Sequence, residues 1–444
     1  MHCNVFGSSR NVSCADVDIS GNAAVESEQK ILRRRRCTAT SLPNFSDIIP
    51  MLSQRQLFLD HVAQTTGFPL MIEIERAEGV YMYAPDGKRY TDLISGIGVS
   101  NVGHRHPQVL QAIHDQLDKY LHLMVHGEYV QAPQNLLAQA LTQTLPAPLD
   151  NVYFTNSGSE AIEGAMKLAK RHTGRHEIVS CHNAYHGSSQ GALSISGSET
   201  FKRAYRPLLP GISHIHYGSY SDLEKITGKT AAVFIETVQG EAGVRVACTN
   251  YFGQLRQRCT ETGTLLVLDE IQAGFGRTGR FWAFEHFGIV PDVLVCAKGM
   301  GGGMPIGAFI APKAIMSAFT HNPILGHITT FGGHPVSCAA SLATLRVIRD
   351  GNLLAEVDTK ASLFRQLLVH LKIRQVRGLG LLMAVEFDSF EVLKPIIDRA
   401  IERGIVTDWF LYCDNSMRIA PPLVITEAQI REACAVILES IDAQ

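Results

Sequence analysis

The 444 residues exceed one minimal core and suffice for two domains, or for one large domain with an accessory lobe. Lys plus Arg is 40 against 42 for Asp plus Glu, a balance that excludes a nucleic-acid surface as the main business, and hydrophobic residues at 45% supply a sizeable core. No apolar run approaches the roughly 18 residues a membrane span needs, and the 10 cysteines are scattered without a CxxC pair, which fits buried thiols in a reducing cytosol.

Residues 1–48 are rich in Ser, Asn and small residues. They carry the basic run Arg33-Arg34-Arg35-Arg36, while Asp16, Asp18, Glu26 and Glu28 interrupt any transit-peptide pattern. This stretch reads as a disordered extension. Gly79 to Tyr90 reads as a hairpin around the Asp86-Gly87 turn. His104 and His106 have no carboxylate or thiol at metal-ligand spacing and read as loop-packing residues. Val109, Leu110, Ile113, Leu117 and Leu121 recur at helical spacing and read as a core-facing stripe.

Asn151 to Phe154 reads as a strand running into Thr155-Asn156-Ser157-Gly158-Ser159-Glu160 and a helix. Free backbone N–H groups, hydroxyls and the helix dipole there converge on one point, an anion site. A plain Ser N-cap with Glu nearby is the competing reading. Glu177 to Cys181 is a second strand, followed by Ala184-Tyr185-His186-Gly187, where Tyr185 could lie flat on a planar ring. Gly228-Lys229-Thr230 is not a P-loop, because Leu223 stands where the pattern needs glycine. A dinucleotide fingerprint is also missing, which removes a nicotinamide dehydrogenase from contention.

Ala231 to Glu236, Leu265 to Asp269 and Asp292 to Cys296 are short apolar runs. Such runs fit strands buried on both faces of a parallel sheet, with ligands bound beyond their carboxyl ends. Asp269 and Lys298 then face one crevice. Alone, each is an ordinary turn residue or solvated charge. Together they suit pyridoxal phosphate, with the lysine as its covalent anchor and the carboxylate on its ring nitrogen. Glycines after Asp269 and Lys298 allow close backbone approach. Arg418, on the apolar stretch Met417 to Leu423, needs an anion if buried. Thr426-Glu427-Ala428-Gln429 is a capping box before the last helix.

From about residue 50 to 440 the chain resembles the class III aminotransferases, the ω-aminotransferase-like branch of the fold-type I pyridoxal-phosphate enzymes that includes the acetylornithine, ornithine and 4-aminobutyrate group. The strongest matching pieces are Leu268-Asp269-Glu270-Ile271-Gln272-Ala273-Gly274-Phe275-Gly276-Arg277-Thr278-Gly279 and the following Lys298. The resemblance implies an α/β fold: a large domain with a mostly parallel central sheet flanked by helices, and a smaller α+β domain from both chain ends. It implies segments 49–102 and 351–444 in the smaller domain, and 103–350 as the large cofactor-binding domain.

The resemblance also implies roles. Lys298 and Asp269 would be catalytic, Lys298 anchoring the cofactor and moving the substrate proton. Gln272 would hold the ring hydroxyl, and Tyr185 and Ile271 would flank the ring. Ser157, Gly158 and Ser159 would hold the phosphate, with Thr330 reaching it from a neighbouring subunit of a homodimer. Arg418 would grip a substrate carboxylate, Glu241 would pair with that arginine when none is present, and Glu236 would orient the same loop. The implied activity is ping-pong transfer of an amino group from an amino acid or ω-amine donor to 2-oxoglutarate or pyruvate, in the cytoplasm. An aminomutase or decarboxylase with the same cofactor, or a non-catalytic binding protein on the same scaffold, are the competing readings. Ser188, His334 and Thr237 depart from the family's usual arginine, asparagine and proline.

Overall fold

A computed structural model describes residues 53–125 and 128–443. The expected disordered extension, 1–48, lies outside the described residues. Residues 1–73 form one unit, whose described part holds the helix Gln54–His61 with Ser53 accepting from Gln56 N–H at its start. Residues 74–444 form a second unit.

The strands of the second unit are, in chain order, β1 (Arg76–Glu78), β2 (Tyr81–Tyr83), β3 (Arg89–Asp92), β4 (Asn151–Thr155), β5 (Glu177–Cys181), β6 (Ile212–Ile215), β7 (Thr230–Glu236), β8 (Leu265–Asp269), β9 (Val293–Cys296), β10 (Gly307–Ala311), β11 (Gln375–Leu379), β12 (Leu382–Glu386), β13 (Ile405–Val406), β14 (Trp409–Phe410) and β15 (Cys413–Ile419). The central sheet has seven strands in the order β4-β10-β9-β8-β7-β5-β6. It is parallel except for β10, which pairs antiparallel with both β9 and β4.

Strand periodicity divides this sheet's residues between two cores. Phe234 and Val267 pack with the helix Gly158–Thr173, through Ala161, Ile162 and Ala165, on one face. Val233, Ile235, Leu266 and Leu268 face the other core, beside residues of the helices Thr249–Thr262 and Pro335–Asp350. Successive strand side chains point to opposite faces, so unbroken apolar runs are what a sheet covered on both sides requires. A fully buried Phe234 contributes roughly 1.5–3 kcal/mol by leaving water.

The hairpin expected around Asp86-Gly87 is present as β2 and β3, joined by β1 and, in parallel, by β13. A second antiparallel sheet runs β11-β12-β15-β14. The core beneath these sheets joins Val80 and Leu93, early in the chain, to Val357, Phe364, Ile396 and Ile437 near its end. The smaller α+β part is thus assembled from both ends of the unit. The Thr426–Gln429 capping box forms as expected, with Thr426 Oγ1 accepting from Gln429 N–H and Gln429 Oε1 accepting from Thr426 N–H.

One expectation fails. The helix from Pro107 stops at Leu117, and Leu117 and Leu121 are 42% and 60% exposed rather than core. Lys119 and Tyr120 both turn their N–H groups to Gln116 O, closing the last turn before Leu121. Val109, at the helix start, is buried as expected. Among the described residues no helix is long and apolar enough to cross a membrane.

Candidate active site

The loops after the carboxyl ends of β4, β5, β7, β8 and β9 surround one cavity of about 550 Å³. Its lining includes Ser157, Gly158, Ser159, Tyr185, Glu236, Glu241, Asp269, Ile271, Gln272 and Lys298. Arg418 stands behind Glu241. Thr330 does not line the cavity and is exposed on this chain.

Asp269 closes β8 and is buried. Its Oδ2 lies 2.7 Å from His186 Nδ1, and its Oδ1 accepts from Ile271 N–H at 2.9 Å. His186 in turn meets Ser180 Oγ through Nε2 at 3.2 Å. His186 was not singled out from sequence. The signal was its place next to Tyr185 in a loop that follows a strand.

Lys298 follows β9 and opens a short 3-10 turn at φ +47°. It is partly open to the cavity, and no hydrogen bond or ion pair to its ammonium is seen among the described residues. Burial holds the ammonium below its ordinary pKa, against the pull of Glu241. An amine kept closer to its neutral form is a better nucleophile.

The anion turn is built as the sequence indicates. Ser157 caps the helix Gly158–Thr173, accepting from Glu160 N–H at 3.2 Å, while Glu160 Oε2 accepts from Asn156 N–H at 2.8 Å. The N–H groups of the first turn are thereby presented to the cavity. Ser159 Oγ accepts from Ser188 N–H at 3.0 Å, tying this turn to the loop after β5. Packing between these loops leaves little room. A Cβ on Gly158 would stand 2.8 Å from Ile271 Cδ1, and one on Gly187 1.9 Å from Ser159 Oγ.

Glu236 pairs in register with Asp269 and is buried; burial first, then the charges of Asp269 and Glu241, push its carboxyl well above the ordinary range. It accepts from Gly240 N–H at 3.3 Å and Tyr185 N–H at 3.4 Å. Glu241 receives the Arg418 guanidinium on both oxygens, at 2.9 and 3.1 Å, and Leu411 N–H at 3.1 Å. Burial opposes its charge, but Arg418 outweighs this and holds the carboxyl below its ordinary value. Gln272 Nε2 reaches the same carboxylate at 3.5 Å.

Arg418, only 2% exposed, has a second anion that sequence reading missed. Asp408 Oδ1 accepts from its Nε at 2.8 Å. Burial lifts the Asp408 carboxyl to about 6, against the charge of Arg418. Nothing local in the sequence marks Asp408; it meets Arg418 because the β14–β15 pairing sets the two side by side, with Arg418 N–H donating to Asp408 O. His104, weighed as a metal ligand, instead meets Asp92 at 2.9 Å, and no described group of His, Cys, Asp and Glu is arranged to hold a metal ion.

The class-III aminotransferase family pattern matches residues 62–441. The chain belongs to the class-III aminotransferases. It is 36% identical over 386 residues to an acetylornithine aminotransferase of Methanopyrus kandleri, covering 86% of this chain and 97% of that one. It is 40% identical over 371 residues to a putrescine aminotransferase of Pectobacterium atrosepticum, covering 80% and 78%. Ornithine aminotransferase of Toxoplasma gondii superposes with a TM-score of 0.83 at 28% identity, over 90% of this chain and 98% of that one. The fold is therefore that of the fold-type I transaminases. The activity is pyridoxal-phosphate-dependent transfer of an amino group from an amino acid or ω-amine donor to an oxo acid.

The residues present suit that cofactor. An oriented buried carboxylate, an unpaired lysine and a helix start whose glycine packs tightly on Ile271 surround one cavity of the size a small cofactor and substrate need.

Proposed function

We propose the following division of labour for the aminotransferase. Pyridoxal phosphate supplies an electron-withdrawing ring and an aldehyde that takes up the amino group. Lys298 would anchor it and would carry the proton to and from the substrate carbon. Asp269, fixed by His186 and Ile271 N–H, would hold the pyridine nitrogen. Gln272 would hold the ring hydroxyl, Tyr185 and Ile271 would flank the ring, and Ser157, Gly158 and Ser159 would hold the phosphate. Arg418 binds a substrate carboxylate once Glu241 swings aside, and Glu236 holds the Gly240 end of that loop. The observation that carries this reading is that Asp269, Lys298 and the Ser157–Ser159 turn share one cavity. An aminomutase would need no external oxo acid, and a mere binding protein would need no free amine.

We further propose a homodimer in which Thr330 serves the partner's site. Two features support it. Leu117, Leu121, Met124, Ile328 and Phe331 are exposed, and the His122 and Phe331 rings, 4.7 Å apart, bring the first of these stretches against the one that carries Thr330. Seven described cysteines are free, in keeping with a cytoplasmic protein, which is the location we propose. The acceptor we propose is 2-oxoglutarate or pyruvate.

The purified protein should absorb near the visible edge, borohydride should fix the cofactor to Lys298, and Lys298→Ala should abolish that adduct. A panel of amines against both oxo acids, with L-glutamate paired with pyruvate alone, then tests transfer. Colourless, normally folded protein that never accepts the cofactor would overturn this reading. Sedimentation equilibrium tests the dimer.

A further inference from the structure

Two carboxylates share the buried Arg418 guanidinium, and they hold different parts of it. Nη1 and Nη2 donate to Glu241 at 2.9 and 3.1 Å, while Nε donates to Asp408 Oδ1 at 2.8 Å. Glu241 lines the cavity and Asp408 does not. The rest of Arg418 is tied down. Its N–H donates to Asp408 O at 2.9 Å, and its O accepts from Thr407 Oγ1 at 2.7 Å. The guanidinium also lies 4.5 Å over the ring of the buried Phe410. Apart from Arg418, the Glu241 carboxylate accepts only from Leu411 N–H and Gln272 Nε2 among the described residues. A carboxylate arriving at the Nη end must therefore replace Glu241 while Arg418 stays where it is. Between the two, a buried cation with no counter-ion would be costly. Asp408 supplies that counter-ion. It also repels whichever anion occupies the Nη end, and so weakens the hold on Glu241.

We propose that Asp408 is a positioning residue that acts through Arg418, a permanent counter-ion that pins the guanidinium and lets Glu241 and a substrate carboxylate exchange quickly at its Nη end. This rests on the reading of Arg418 given above. The outgoing and incoming carboxylates feel the same repulsion from Asp408. It therefore speeds the exchange in both directions and leaves the equilibrium nearly unchanged. The charged groups that face Asp408 are Arg418, Glu241 and Asp92, the last paired with His104 at 2.9 Å. Burial lifts the Asp408 carboxyl to about 6. Protonation near that pH removes the repulsion, and the exchange slows.

The test is binding of glutarate, a dicarboxylate with no oxo group to react, to the holoenzyme. Stopped-flow absorbance of the cofactor gives the association and dissociation rates, and calorimetry gives Kd. Asp408→Asn keeps the shape of the side chain and an acceptor for Arg418 Nε but removes the charge. At about pH 8 both rates should fall about tenfold in the variant, the rate equivalent of one screened charge pair, with Kd within about twofold of wild type. The gap in rate between wild type and variant should close as pH falls through about 6. A merely structural role would instead raise Kd and speed dissociation. Rates unmoved by Asp408→Asn, or a Kd raised about tenfold or more, overturn the inference and leave the reading of Arg418 standing. Glutarate that does not bind wild type, or that binds Arg418→Gln equally well, overturns the reading of Arg418 itself.

Discussion

Asp269 gives one carboxylate oxygen to His186 Nδ1 at 2.7 Å and the other to Ile271 N–H at 2.9 Å. Both oxygens are therefore held in place by the protein's own neighbouring groups. His186→Phe keeps the ring volume and removes the donor, leaving a buried carboxylate under-satisfied at a cost of roughly 1–3 kcal/mol. We expect weaker cofactor retention, by about five- to hundredfold, measured by equilibrium dialysis. Unchanged retention would show that Ile271 N–H orients Asp269 unaided.

Asp269→Asn tests the electronic role. A charge–charge contact at an effective dielectric near 20 carries raw energy of about 4 kcal/mol. The single-turnover rate should fall by up to about a thousandfold with the fold intact. A loss below about tenfold would mean that the carboxylate positions the ring without polarising it.

Gly187 sits at φ +128°, and a Cβ there would meet Ser159 Oγ at 1.9 Å. Gly187→Ala must part the loop after β5 from the anion turn. Far-UV circular dichroism should be retained while cofactor binding is lost. Gly158→Ala is milder, because it meets the end of a flexible side chain, Ile271 Cδ1, and a partial loss is expected.

The strands that carry Asp269 and Lys298 were readable because a sheet buried on both faces tolerates no polar interruption until its edge. The charged residue ending each run was therefore informative. The capping box at Thr426 was readable because capping is local. Asp408 was not, since its partner arrives through strand pairing near a register shift between Trp409 and Phe410. Leu121 misled because apolar spacing continues past the point where the Gln116 carbonyl closes the helix. Its exposed face falls on the surface proposed for a second copy.

Glu270, fully buried, offers a pH test. It accepts from Thr237 Oγ1 at 2.9 Å and from Ala283 and Phe284 N–H at 2.6 Å each. Burial outweighs these donors and lifts its carboxyl from 4.5 to about 7. Between those values the folded chain holds a proton that the unfolded chain has released. Stability from this group is therefore full below about 4.5, falls as pH rises, and levels off above about 7. Glu270→Gln should remove that slope in thermal melts from pH 5 to pH 8. It should also lower Tm throughout by several degrees, because an amide NH₂ would face donors. A slope that persists in the variant would assign it to other groups.

Lys298 occupies a left-handed backbone region at φ +47°, costly for a side chain with a Cβ. Glycine at that position would relax the turn by roughly 1–2 kcal/mol. Lys298→Gly, which has no anchor for the cofactor, should then melt later than the cofactor-free native chain. The enzyme gives up conformational comfort at the one residue it cannot do without, and an inert protein is the more durable one.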